Sequence, residues 1–137
     1  MYIAETKLRV RYADTDQMGV VYHANYATYF EVGRTESIRQ LGFTYKDMEA
    51  MGIEMPVVDW HGRFLRPAQY DDLLTIRTTL RVLPDNHKII FYQEVLNEQN
   101  KLLMAGTVTL YFINKLTKAR ATMPMALKEK LASFFEH

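Results

Sequence analysis

Two carboxylates and an imidazole stand close together in the run Tyr12-Ala-Asp-Thr-Asp-Gln-Met-Gly-Val-Val-Tyr-His-Ala-Asn-Tyr26. A carboxylate can attack a carbonyl carbon or take a proton from water, and the carbonyl oxygen then needs donors to hold its developing charge. Asp14 and Asp16 are the available carboxylates. Suitable donors are the first N–H groups of a helix, which lack intrahelical acceptors and carry the positive end of the helix dipole. His23, Ala24 and Asn25 stand where such a helix would begin. The pattern suits attack on an acyl group. Other fates are open to each residue: an aspartate in a D-x-D loop commonly bonds its own backbone, and carboxylate with imidazole can ligate a metal. No fourth ligand is evident.

These residues are held by the elements on either side. Residues 5 to 12 alternate, with Leu8, Val10 and Tyr12 on one side and Lys7, Arg9 and Arg11 on the other, which predicts a first strand ending at Tyr12. From Asn25 the period becomes helical. Tyr26, Phe30, Gly33, Ser37 and Leu41 share one face, Thr28, Glu31, Thr35 and Arg39 the opposite one, and Gly42 supplies the stop. Gly33 costs about 1 kcal/mol of helix propensity, and a helix seated closely on a sheet would explain its use. A short helix is expected from Thr44 to Met51, then four extended segments separated by turns at 67–72, 84–87 and 97–101. The clearest strand is Leu74 to Leu83. The last carries Met104, Gly106, Val108, Leu110 and Phe112 on one face. Pro124 opens a closing helix whose Leu127, Leu131 and Phe134 share a face. One long helix against a curved antiparallel sheet of about five strands, with a C-terminal helix, is an α+β arrangement, and residues 1–137 read as a single domain. Its open sheet edges predict a homodimer or homotetramer.

The bulk composition narrows the partners. With 17 Lys+Arg against 16 Asp+Glu the net charge is +1, so no general attraction to nucleic acid or to an anionic membrane is expected. There is no cysteine, which excludes disulfides, thiolate metal sites and a cysteine nucleophile. No apolar run approaches the roughly 20 residues needed to span a bilayer, and the first residues lack the order of a signal peptide. A soluble, cytoplasmic protein is expected.

The run Asp14-Thr-Asp16-Gln-Met-Gly19-Val-Val-Tyr22-His23-Ala-Asn25-Tyr26, continued by Tyr29-Phe30-Glu31 and Arg34-x-Glu36, closely resembles the 4-hydroxybenzoyl-CoA thioesterase family of hotdog-fold acyl-CoA thioesterases, and within it the YbgC-type branch. The resemblance extends over nearly the whole chain. It implies a hotdog fold and hydrolysis of an acyl-CoA thioester to a free acid and coenzyme A. Asp16 matches the family's carboxylate, acting as nucleophile or as general base. His23 matches the residue whose N–H polarises the thioester carbonyl. Tyr12, four positions before Asp16, matches a tyrosine that orients the carboxylate or the water. Gly19, Val20 and Tyr22 would form the substrate's approach, although Tyr22 also reads as a core or interface aromatic. Asn25 fits capping or loop bracing better than chemistry, and a structural bond to the loop explains Asp14 as well as direct chemistry does.

The resemblance further implies a site at a dimer interface and neither metal nor cofactor, coenzyme A being part of the substrate. Arg63, Arg66, His87 and Lys88 are candidates for its phosphates. Glu31 and Glu36 are fallback carboxylates, since another hotdog branch places its carboxylate on the long helix; Glu31 otherwise reads as solvated and Glu36 as an ion-pair partner of Arg34. The rival readings are hydrolysis of acyl-carrier-protein thioesters and a non-catalytic acyl-CoA-binding protein.

Overall fold

The computed structural model describes residues 1–136. Strand β1 (Tyr2–Arg9) leads through a single 3-10 turn (Tyr12–Asp14) and a loop to helix α1 (Asn25–Arg39). Helix α2 (Tyr45–Ala50) and a two-residue β2 (Ile53–Glu54) precede the long strands β3 (Val57–Phe64), β4 (Leu73–Leu80), β5 (Lys88–Leu96) and β6 (Leu102–Tyr111). A short β7 (Ile113–Asn114), helix α3 (Met125–Ala132) and a second 3-10 turn (Ser133–Phe135) complete the order. The five long strands form one antiparallel sheet in the order β1-β4-β5-β6-β3, and β2 pairs with β7.

Helix α1 lies across one face of this sheet. Tyr26, Phe30, Gly33, Ser37 and Ile38 are buried beneath it, against Leu74, Ile76, Leu80, Ile89, Phe91 and Val95 of the sheet. The expected stripe is present, and so is the reason for Gly33: a Cβ there would stand 2.5 Å from Ile76 Cγ2 and 2.9 Å from both Gln93 Nε2 and Thr78 Oγ1. Only hydrogen fits. The same seat is fastened by a buried polar clip, in which Gln93 Nε2 donates to the Phe30 carbonyl (2.8 Å) and to Thr78 Oγ1 (3.0 Å). Arg34 Nη1 donates to Gln93 Oε1 at 3.2 Å. Arg34 is only 6% exposed, and burial lowers its pKa by penalising the charged form. It therefore does not pair with Glu36, as the sequence suggested; Glu36 instead binds Arg39 at 3.2 Å one turn along the exposed side.

Three boundaries differ from expectation, each for a reason in the packing. Strand β1 stops at Arg9, because Val10 pairs with the turn before β4 (Val10 N–H to Asp72 O, 2.9 Å; Asp71 N–H to Val10 O, 3.1 Å) and the chain then coils. Tyr12 thus leaves the strand and is 79% exposed. Strand β4 ends at Leu80, which pairs with Tyr2 at the start of β1, so Val82 has no neighbouring strand and is 73% exposed. Helix α3 buries Leu127 and Leu131 as expected, whereas Phe134 lies beyond its end and meets Tyr2 edge-on at 4.8 Å.

Of the sheet's two edge strands, β1 and β3, β3 is the more exposed. All eight of its residues are exposed, including Val57, Val58, Trp60 and Phe64, and its second row of backbone groups has no partner strand among the described residues. No described helix is long and apolar enough to cross a membrane.

Candidate active site

The loop between β1 and α1 is built as a small strap. Asp16 N–H donates to Val20 O (2.9 Å) and Gly19 N–H to Asp16 O (3.0 Å), with Gly19 at φ +79°, a left-handed conformation that suits glycine. Val20 and Val21 then run beside the segment before β4, where Val21 N–H donates to Ala68 O at 2.8 Å. This fixes Asp16 at the rim, half-buried. Its Oδ1 accepts the Met18 N–H at 2.8 Å, while Oδ2 has no protein donor among the described residues. A carboxylate with one oxygen tethered and the other free is oriented yet still able to act.

Asp14 is quite different. It is 5% exposed, and its Oδ2 accepts from the Arg11 N–H (3.1 Å) and the Tyr29 hydroxyl (2.9 Å), its Oδ1 from Arg11 Nη2 (3.0 Å). Burial alone would raise its pKa, but the bonds from Arg11 and Tyr29 outweigh this and hold the carboxyl below its ordinary value. Burial and this same carboxylate push the Tyr29 phenol far upward, so it stays a donor. Neither Arg11 nor Tyr29 stood out as a partner in the sequence. Tyr29 lies 15 residues from Asp14, a separation that only the fold closes.

At the start of α1 the N–H groups of Asn25, Tyr26 and Ala27 already donate to Tyr22, His23 and Ala24 carbonyls. The Asn25 N–H is therefore spent, contrary to the set of three expected. Those of His23 and Ala24 have no acceptor among the described residues. They form the free end of the helix dipole. Asn25 braces the loop, its Nδ2 donating to Asp14 O at 2.8 Å. His23 is exposed beside the Tyr22 ring (4.4 Å between centroids) and, with Val21, Tyr26, Phe64, Leu65, Arg66 and Pro67, lines an open cleft of about 320 Å³. Tyr12 stands apart from these groups: its ring packs edge-on against Tyr70 at 5.7 Å, and no hydrogen bond joins its hydroxyl to Asp16.

A profile of the thioesterase-like superfamily matches residues 10–131. The chain belongs to that superfamily. Among its relatives, YneP of Bacillus subtilis (strain 168) is 36% identical over 115 residues, covering 84% of this chain and 83% of YneP. The acyl-CoA thioester hydrolase YbgC of Escherichia coli O6:H1 is 31% identical over 120 residues, covering 88% and 89%. A solved DHNA-CoA thioesterase from Staphylococcus aureus superposes with a TM-score of 0.90 at 32% identity, over 98% of this chain and 91% of that one. The architecture is the hotdog fold, and the protein is a thioester hydrolase by family.

The phosphate candidates of this thioesterase separate by position. Arg63 and Arg66 lie at the cleft end of the sheet, where Phe64 pairs with Met104. His87 and Lys88 lie at the opposite end, where Lys88 pairs with Tyr111, and His87 meets the Tyr111 ring edge-on at 4.7 Å. Partial burial, with Arg120 and Lys88 nearby, lowers the His87 pKa and favours its neutral form. Within one chain, the fold does not bring His87 and Lys88 to the Asp16 loop. Glu31 is exposed on the far side of α1. Among the described residues no cluster of three or more His, Cys, Asp and Glu could hold a metal ion.

Proposed function

We propose that the protein hydrolyses acyl-CoA thioesters to a free acid and coenzyme A, using Asp16 and the paired N–H groups of His23 and Ala24. The observation that carries this reading is the free Asp16 oxygen on a strap that leads, within a few residues, to two unsatisfied helix-start donors. The named activity of the YbgC relative supports the same substrate class.

In the general-base route Asp16 takes a proton from water as the water oxygen bonds the thioester carbon. The oxyanion accepts from the His23 and Ala24 N–H groups, then collapses, breaking the C–S bond. The departing thiolate takes up the proton. In the nucleophilic route the Asp16 oxygen bonds the carbon itself, coenzyme A leaves, and water cleaves the resulting anhydride. Both routes place equal demands on the carboxylate and the donors. Val21, Tyr26, Phe64 and Leu65 supply an apolar wall for the acyl group, with Gly19, Val20 and Tyr22 along its approach. Tyr12 joins the site if its side chain swings from Tyr70.

The exposed β3 edge suits antiparallel pairing with a second copy across a two-fold axis. That pairing reverses the partner sheet, so the partner subunit's His87 and Lys88 come to the same end as Asp16. Together with Arg63 they would then meet the coenzyme's phosphates. The absence of cysteine fits a cytoplasmic setting.

A panel of short, long and aromatic acyl-CoA esters, followed by thiol release, tests the reading. At least one member should turn over with kcat in the range of about 1–10³ s⁻¹. The best acyl group should be cleaved faster from coenzyme A than from acyl-carrier protein. Preference for the carrier-bound ester would transfer the assignment to that substrate, and tight binding without thiol release would make the protein a binder.

A further inference from the structure

The buried carboxylate next to the reactive one has a structure of its own to account for. Every polar atom of Asp14 is occupied. Its side chain accepts two bonds from Arg11 and one from Tyr29, and its N–H donates to Arg11 O at 3.0 Å. Its carbonyl oxygen accepts from Tyr22 N–H at 2.9 Å and from Asn25 Nδ2 at 2.8 Å. These last two bonds matter most. Asp14 is two residues before Asp16, while Tyr22 and Asn25 flank His23 and Ala24. One carbonyl therefore ties the loop that carries the carboxylate to the turn that presents the two free N–H groups. The Tyr29 hydroxyl fixes that tie to the buried face of α1.

We infer that Asp14 is a positioning residue of the hydrolytic site: it sets the separation between the Asp16 carboxylate and the His23 and Ala24 donors without touching substrate. The inference rests on the proposed roles of Asp16 and those donors. Its chemistry is specific to a carboxylate. Both oxygens face donors, so an asparagine of the same shape would turn its NH₂ toward either Arg11 or Tyr29 and lose at least one bond. The buried carboxylate is kept ionised by its bonds from Arg11 and Tyr29, and those charge-assisted bonds hold the residue, and with it the carbonyl tie, more firmly than a neutral turn bond would.

A double-mutant cycle separates positioning from bulk stability. The variants Asp14→Asn, Tyr29→Phe, Asp16→Asn and the two combinations with Asp16→Asn are compared for kcat, KM and thermal midpoint. Asp14→Asn should lower kcat by roughly 10- to 100-fold, by analogy with the loss of hydrogen-bond partners that orient metal ligands, with KM changing less than kcat. Tyr29→Phe, which deletes one hydroxyl and keeps the ring packing, should lower kcat in the same direction by less. In the Asp16→Asn background neither substitution should cause a further loss, because nothing remains to be positioned. Losses that multiply in full in that background would overturn the inference, as would unchanged kcat in Asp14→Asn or a loss accounted for by unfolded protein. If Asp16→Asn alone keeps wild-type turnover, the hydrolytic assignment of Asp16 falls instead, whatever Asp14 does.

Discussion

Asp16→Asn is expected to lower kcat by roughly 10²- to 10⁴-fold, the range for removing a positioned acid or base, and to leave the thermal midpoint nearly unchanged. The two halves of this expectation have one structural source. Among the described residues the carboxylate's only protein bond is Oδ1 to the Met18 N–H at 2.8 Å, and an asparagine Oδ1 can accept that bond equally well. The strap from Asp16 to Val20 is otherwise held by backbone bonds that do not involve the side chain. What the substitution removes is the free oxygen and its charge. Thiol release against acyl-CoA and a parallel melting curve measure both halves. Turnover within a few-fold of wild type would redirect attention to the carboxylates of α1, and the fold makes those poor substitutes: Glu31 is exposed, and Glu36 is engaged by Arg39.

Gly33→Val should destabilise the protein by about 3 kcal/mol, the upper part of the range for overpacking a well-filled interior. Replacing a mid-helix glycine ordinarily gains stability, up to about 1 kcal/mol for alanine, so the expected sign is the reverse of the propensity rule. The cause is the seat under α1. A single Cβ would already approach Ile76 Cγ2 at 2.5 Å and the polar atoms of Gln93 and Thr78 at 2.9 Å, and valine adds two further methyl groups. Relief by sliding the helix would break the Gln93 bond to the Phe30 carbonyl. It would also carry His23 and Ala24 away from Asp16, so the folded fraction should lose turnover as well. A denaturation midpoint with m unchanged gives the stability term, and kcat corrected for folded fraction gives the displacement. A variant as stable as wild type would contradict the close seating. Thr28→Ala, on the exposed face of the same helix, is the control and should stay within about 0.5 kcal/mol.

Much of this could be read from residues alone, for a physical reason: burial on one face imposes a period. The α1 stripe through Tyr26, Phe30, Gly33 and Ser37, and the alternation in β4 and β6, are direct consequences of which side meets the core. The Asp16 loop was legible because its residues are contiguous. What escaped were features set by contacts between distant segments. Alternation carried β1 through Tyr12, but the ladder ends where the turn before β4 takes over the pairing of Val10. Arg34 looked like a surface partner of Glu36 because both are charged and close in sequence. The sheet beneath offers Gln93 instead, which no local pattern reveals. His87 and Lys88 were grouped with Arg63 as phosphate ligands on residue type, whereas strand register puts them at opposite ends of the sheet. The proposed two-fold pairing along β3 would bring these ends together.

Hydrolysis as proposed turns on one bond, a thioester C=O that the His23 and Ala24 N–H groups would hold facing Asp16. The Asp16→Asn protein, slow enough to hold its substrate, should be mixed with acyl-CoA carrying a ¹³C-labelled thioester carbonyl and examined by difference infrared spectroscopy. Hydrogen bonding at a helix start polarises the carbonyl, so the labelled stretch is predicted to fall in frequency relative to the same ester in water. An unshifted or raised frequency in the saturated complex would contradict the account.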